Sequence, residues 1–169
     1  GMNKISVKNN GLVYLMYHSE STTKPLKVHF ASGSVNGFFD ATRQNNDDWQ
    51  YLLQNTTDHF FDAIGKYVHL CFPVEDFRAW CPENGKRLIE GWDSIVWLEY
   101  QVMGLEKYNK IPVNRVMCVL ENDEKWYMYA TDNRTAYVKG TLKELLNPSD
   151  LRSSSIWGPA HEIGHMLQT

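Results

Sequence analysis

Three residues near the end of the chain have the types and spacing for metal-assisted hydrolysis: His161, Glu162 and His165, in the string H-E-I-G-H. On a helix, side chains four residues apart share a face, so the two imidazoles point the same way. Such a pair supplies two corners of a tetrahedral zinc site. Glu162 follows the first histidine directly, placed to take a proton from water while staying off the ligand direction. Zinc brings the pKa of its water toward about 7, and a carboxylate can then complete the deprotonation and leave a nucleophile for a peptide carbonyl. Gly164 costs the helix roughly 1 kcal/mol against Ala, and its missing side chain permits close packing. On the residues alone two plainer readings stay open. Three fixed positions recur by chance in unrelated helices, and a histidine on an apolar face is more often a core residue bonded to backbone.

The elements around this string must position it. Pro159 suits the opening of a helix that runs through His165. Before it, "TLKELLNP" reads as a short helix, with Thr141 as N-cap and Glu144 three residues on, a capping box. "NRVMCVLEN" and "KWYMYATDNRTAYV" read as two strands joined by a tight "NDE" turn. The longest element is "PENGKRLIEGWDSIVWLEYQVMGLEKY". Its Leu88, Trp92, Ile95, Val96, Leu98, Val102 and Leu105 form an amphipathic stripe, with Pro82 in the first turn and Pro112 beyond the end.

"KYVHLCFPVEDF" has strand character, its alternation placing Tyr67, His69 and Cys71 on one face and Val68, Leu70 and Phe72 on the other. "NNDDWQYLLQNTTDHFFDAIG" opens on an Asp47/Asp48 pair suited to a helix N-terminus and continues at helical spacing. "GLVYLMYH" and "LKVHFAS" read as strands. The expected fold class is therefore α+β: an N-terminal β region over 1–45, then a mixed sheet, a long amphipathic helix and a terminal zinc-motif helix over 46–169, all in one domain.

Composition bounds the function classes. Hydrophobic residues make up 43% and charged residues 22%, the balance of an ordinary globular domain. Net charge is −3, from 17 basic against 20 acidic residues, and no Lys/Arg block stands out, which argues against nucleic acid as a partner. No apolar run approaches the roughly 18 residues a transmembrane segment needs. Cys71, Cys81 and Cys118 lack C-x-x-C spacing, which excludes a cysteine zinc knot; three buried free cysteines are expected, with one disulfide and a leftover thiol as the alternative. The other histidines (His18, His29, His59 and His69) have no spaced partner and read as structural or surface residues. Glu121, Asp123 and Glu124 read as a solvated turn, because the alternating oxygen ligands and glycine of a calcium loop are absent. Asn55 and Asn133 fit the glycosylation sequon, a triplet common by chance. The six Trp and nine Tyr suit a packed core or a sugar-binding surface equally.

"WGPAHEIGHMLQ" resembles the enhancin-like zinc metallopeptidases, an H-E-x-x-H gluzincin-type family of viral enhancins and bacterial mucin-degrading proteases. Their motif reads H-E-x-G-H-x-x-Q, with a Trp-Gly pair shortly before it. Trp157, Gly158, His161, Glu162, Gly164, His165 and Gln168 stand in register with that pattern. "GLVYL", "WDSIVWLEYQVMGL" and "NRVMCVLENDEKWYMYATDNRTAYV" are similar to the family's opening strand, long helix and pre-motif strands.

The resemblance implies Zn2+ held by His161 and His165, Glu162 as general base, and endopeptidase action on mucin-like glycoproteins by a secreted or cell-surface protein. By the same resemblance, Ala130–Val138 take the place of the edge strand that pairs with substrate, with an ordinary hairpin as the alternative. The resemblance also implies a third ligand, a Glu on a following helix. The sequence stops at Thr169, four residues after His165, so the expectation is an N-terminal piece of a peptidase domain, inactive alone and self-associating through exposed apolar surface. A non-catalytic glycan- or glycoprotein-binding module is the alternative.

Overall fold

The computed structural model describes residues 4–14 and 27–168. Six strands form one mixed sheet, in the spatial order β1-β2-β3-β4-β6-β5. β1 is Phe38–Asp40, β2 Phe60–Ile64, β3 Val68–Pro73, β4 Val116–Glu121, β5 Met128–Ala130 and β6 Arg134–Val138. β2 pairs antiparallel with β3 and β5 with β6, while β1–β2, β3–β4 and β4–β6 are parallel. Six helices accompany the sheet: α1 Asn46–Asn55, α2 Val74–Trp80, α3 Gly85–Val102, α4 Leu142–Leu145, α5 Pro148–Leu151 and α6 Trp157–Leu167. The α+β expectation, the long helix and the terminal motif helix are all present.

The alternation read in β3 is observed. Val68, Leu70 and Phe72 are buried in the core, and His69 and Cys71 on the opposite face are half-buried. The core they enter is organised by Trp49 of α1, whose ring packs edge-on against Phe39, Phe61 and Phe77. Its indole N–H donates to the Cys81 carbonyl at 2.8 Å, satisfying the one polar atom of a fully buried ring. On α3, Trp92 does the same with the Leu145 carbonyl at 3.1 Å, tying the long helix to α4. Asp93 accepts backbone N–H groups of Lys66, Tyr67 and Val68 at 2.7, 2.8 and 3.1 Å, so one carboxylate on α3 fixes the β2–β3 turn.

Several local expectations are corrected. Residues 11–14 and 27–32 form no strand, and the remainder of those two runs, His18 included, lies outside the described residues. Among the described residues, the first strand is Phe38–Asp40. The helix starting at Asn46 stops at Asn55 rather than running on to the next glycine. There Asn36 Oδ1 accepts the backbone N–H groups of Thr57 and Asp58, at 2.9 and 2.7 Å, and turns the chain into β2. Pro73 ends β3, and "VEDFRAW" becomes α2 instead of continuing the strand.

The long helix begins at Gly85, three residues beyond Pro82, and closes with Gly104 at φ 70, a left-handed position that suits glycine. The capping box predicted at Thr141 does not form. A 3-10 turn over Lys139–Thr141 has already made that residue helical, and its hydroxyl donates to the Val138 carbonyl at 2.8 Å. A capping box does close α1, between Asn45 and Asp48.

The strands ahead of α6 also depart from expectation. "NRVMCVLEN" yields β4, but "KWYMYATDNRTAYV" is itself a hairpin, turning at Thr131–Asn133, where the Thr131 N–H donates to the Arg134 carbonyl at 2.8 Å. β4 therefore lies parallel to β6, and β5 takes the sheet edge. The acidic "NDE" stretch is a loop held by Glu121 and Asp123 accepting the backbone N–H groups of Asp123 and Lys125.

Candidate metal centre

α6 lies across the end of the sheet, against β5, β6 and α3. Its buried side comprises Gly158, Pro159, Glu162 and Ile163, with Ala160, Met166 and Leu167 partly buried beside them. His161 and His165 project from the other side and are exposed. The first turn is seated by Gly158. A Cβ there would sit 2.8 Å from the Met128 sulfur of β5, so a larger residue would require the end of that flexible side chain to move aside. Gly164, by contrast, leaves ordinary space: its Cβ would stand 3.7 Å from a Glu99 carboxylate oxygen of α3. The close packing anticipated at Gly164 thus occurs at Gly158. The Trp-Gly pair carried that signal in sequence.

The two motif imidazoles converge. Their Nε2 atoms are 3.0 Å apart, with the rings at 82° and their centroids 4.4 Å apart. Zinc–nitrogen bonds of about 2.0–2.1 Å at a tetrahedral angle set two ligand nitrogens roughly 3.3 Å apart. The pair is therefore close to a chelating arrangement. Trp157 stacks on the far side of His161, with centroids 4.7 Å apart and planes within 18°. Trp157, His161 and His165 make a column of three rings at intervals of four residues.

Glu162 points inward and is only 6% exposed. Tyr137 of β6 is fully buried, and its hydroxyl is the one buried side-chain polar atom without a hydrogen-bond partner among the described residues. Burial pushes the Tyr137 phenol well above its usual pKa, with Cys118 and then Glu162 adding to the rise. Burial alone raises the Glu99 carboxyl.

Among the described residues no set of three His, Cys, Asp or Glu side chains is arranged to hold a metal. The fit to zinc therefore extends to two protein ligands. His29 and His59 are exposed, and His69 is held 2.6 Å from Asp62 on the sheet face away from the core. All three cysteines are free, Cys81 and Cys118 buried and Cys71 half-buried. Burial pushes each thiol up to about 12. Ala130–Val138, expected as a substrate-pairing edge strand or an ordinary hairpin, belong to the β5–β6 hairpin. β6 is bonded on both sides, and the free edge beside α6 is β5, Met128–Ala130. No helix among the described residues is long and apolar enough to cross a membrane.

Residues 34–169 match a family model described as peptidase M60, enhancin and enhancin-like. A metallopeptidase from Bacteroides thetaiotaomicron superposes with a TM-score of 0.72 at 29% identity, over 83% of this chain and 24% of its own. A metallopeptidase in complex with Tn antigen gives 0.72 at 30%, over 83% and 26%. Among curated proteins, TRPM8 channel-associated factor 2 of Homo sapiens is 22% identical over 159 residues, 94% of this chain and 17% of the human protein. The chain thus spans about a sixth of that relative and about a quarter of those solved chains.

Proposed function

Because the chain belongs to the M60 peptidase family, enhancin and enhancin-like, we propose that it carries part of the active site of a zinc-dependent endopeptidase acting on mucin-like glycoproteins. The observation that carries the reading is the 3.0 Å convergence of His161 and His165 on one side of α6, next to the buried Glu162. His161 and His165 would hold the ion. Zinc bound there supplies positive charge that polarises a carbonyl and acidifies water.

The rest of the mechanism belongs to this chain's own residues. A Glu162 carboxylate oxygen accepts the proton of the attacking water and returns it to the leaving amine. The free edge of β5 offers backbone donors and acceptors to an extended peptide, which would align its scissile bond beside α6. With two ligands from the described residues, this chain by itself should hold zinc weakly and hydrolyse protein slowly or not at all.

Glycoprotein as substrate is supported by the relative solved in complex with Tn antigen. A secreted or cell-surface location follows from such a substrate. Exposed Leu98, Val102 and Met103 on the outer side of α3 favour self-association.

A second reading is a non-catalytic glycoprotein-binding module. It is favoured by the exposed rings of Trp126, Tyr127 and Trp157, and by curated relatives whose names describe channel-associated factors. Calorimetry with zinc, together with incubation on a mucin-type glycoprotein read by mass spectrometry, separates the two. The peptidase reading expects one zinc per chain, lost in His161→Ala and His165→Ala and retained in Glu162→Gln, and any cleavage abolished by Glu162→Gln. Saturable sugar binding with no zinc uptake would establish the second reading instead.

A further inference from the structure

We propose that Trp157 is a positioning residue for the metal site, holding the His161 imidazole in its ligating orientation; this rests on the reading of His161 and His165 as zinc ligands. The Trp157 ring lies nearly parallel to that of His161, at 18° and 4.7 Å, although the Trp157 side chain itself is 69% exposed. A large apolar ring left in water at the mouth of a candidate site is not there to fill the core. It touches the outer face of a ligand side chain.

Three observations make the contact directional. The tryptophan stands beside a packed position, because Gly158 next to it lies against the Met128 side chain of β5. Its ring covers one face of His161, while the edge of His161 meets His165 at 82° with Nε2 facing Nε2. And His161 is exposed, with no hydrogen bond other than the contact with His165 among the described residues, so nothing else in the described fold restrains its ring.

An unrestrained imidazole on a helix surface samples several rotamers, and a metal must collect one of them. Stacking selects the rotamer beforehand, which is how outer partners of metal ligands raise affinity. The preference is also differential. Metal ligation draws electron density from the imidazole, and an electron-poor ring is held more strongly over the negative face of an indole. The stack is therefore stronger with metal than without it, the condition for contributing to affinity.

The test compares zinc calorimetry and His161 ring proton shifts in the 169-residue chain and its Trp157→Ala, Trp157→Phe and Trp157→Leu variants. Trp157→Ala and Trp157→Leu should weaken zinc binding about tenfold with an unchanged melting temperature, the low end of outer-shell effects. Trp157→Phe should restore most of it, because a flat ring, not bulk, does the positioning. Without metal, the His161 ring protons should lie upfield in the wild-type chain, from the indole ring current, and move downfield in Trp157→Ala.

Equal zinc affinity in the wild-type chain and Trp157→Ala, or equal loss in Phe and Leu, overturns the proposal. So does an unshifted His161 ring in the wild-type chain. If the ring shift is present but the wild-type chain takes up no zinc, the stack stands as structure, and both the metal reading and the positioning role fall.

Discussion

The sulfur of Met128 lies against the backbone of Gly158, so close that a Cβ on Gly158 would meet it at 2.8 Å. This contact joins the sheet edge to the first turn of α6. Gly158→Ala should therefore destabilise the chain by at most about 1 kcal/mol, because the flexible end of Met128 can turn aside and Ala favours the helix. The increment should shrink in a Met128→Ala background, where the obstructing sulfur is gone. A thermal-melt cycle over the four proteins measures this directly. Additive effects would show that the two residues do not press on one another.

Asp93 collects three backbone N–H groups of the β2–β3 turn. Hydrogen bonds to a charged acceptor contribute about 1.5–3 kcal/mol, and losing the acceptor leaves its donors unpaired. Asp93→Ala should lower stability by at least about 2 kcal/mol in urea, with Asp93→Asn intermediate. An unchanged midpoint would mean that water replaces the carboxylate at no cost.

Tyr137→Phe removes the partnerless buried hydroxyl. A buried polar group without a partner costs about 1–3 kcal/mol, so the variant should melt at the same temperature or higher. A clear drop in melting temperature would reveal a partner for the hydroxyl, with the Thr135 side chain the neighbour to examine.

Acid stability should depend on Asp40. Partial burial opposes its ionisation, but hydrogen bonds from the Thr42 hydroxyl and backbone N–H outweigh it, with Arg43 adding to them, and the folded pKa is lowered. A lowered folded pKa means a contribution present above the unfolded value of about 3.9 and lost as pH falls through the folded one. The wild-type chain should be more stable than Asp40→Asn at pH 6, and the gap should close below about pH 4. A gap independent of pH would assign the effect to shape rather than charge.

The most legible parts of the sequence were those where period and chemistry agree. The alternation over Val68–Phe72 gave the two faces of β3, and the stripe through Leu88, Trp92, Ile95 and Val96 gave the buried side of α3, whereas Leu98 and Val102 of the same expected stripe are exposed. His161 and His165 fell on one face of a helix because their spacing leaves little choice once the segment is helical.

What was not legible depends on distant partners. Asn36 turns the chain after α1 from 22 residues away, and Asp93 holds a turn from another element. The pairing of β4 with β6 depended on a short turn at Thr131–Asn133 inside what read as one strand. Thr141 carries a capping-box pattern, yet a preceding 3-10 turn removes the extended conformation that an N-cap needs. In the candidate site, the facing histidine pair was readable, but the stack on His161, the contact at Gly158 and the unpartnered Tyr137 hydroxyl are properties of packing.

The central claim is that His161 and His165 bind zinc together, and zinc K-edge X-ray absorption on the zinc-loaded chain tests it most directly. The account predicts two imidazole nitrogens at about 2.0–2.1 Å with oxygen completing the shell, and loss of the imidazole signal in His161→Ala/His165→Ala. Sulfur at about 2.3 Å, or a spectrum unchanged in that double variant, would put the metal elsewhere and contradict the account.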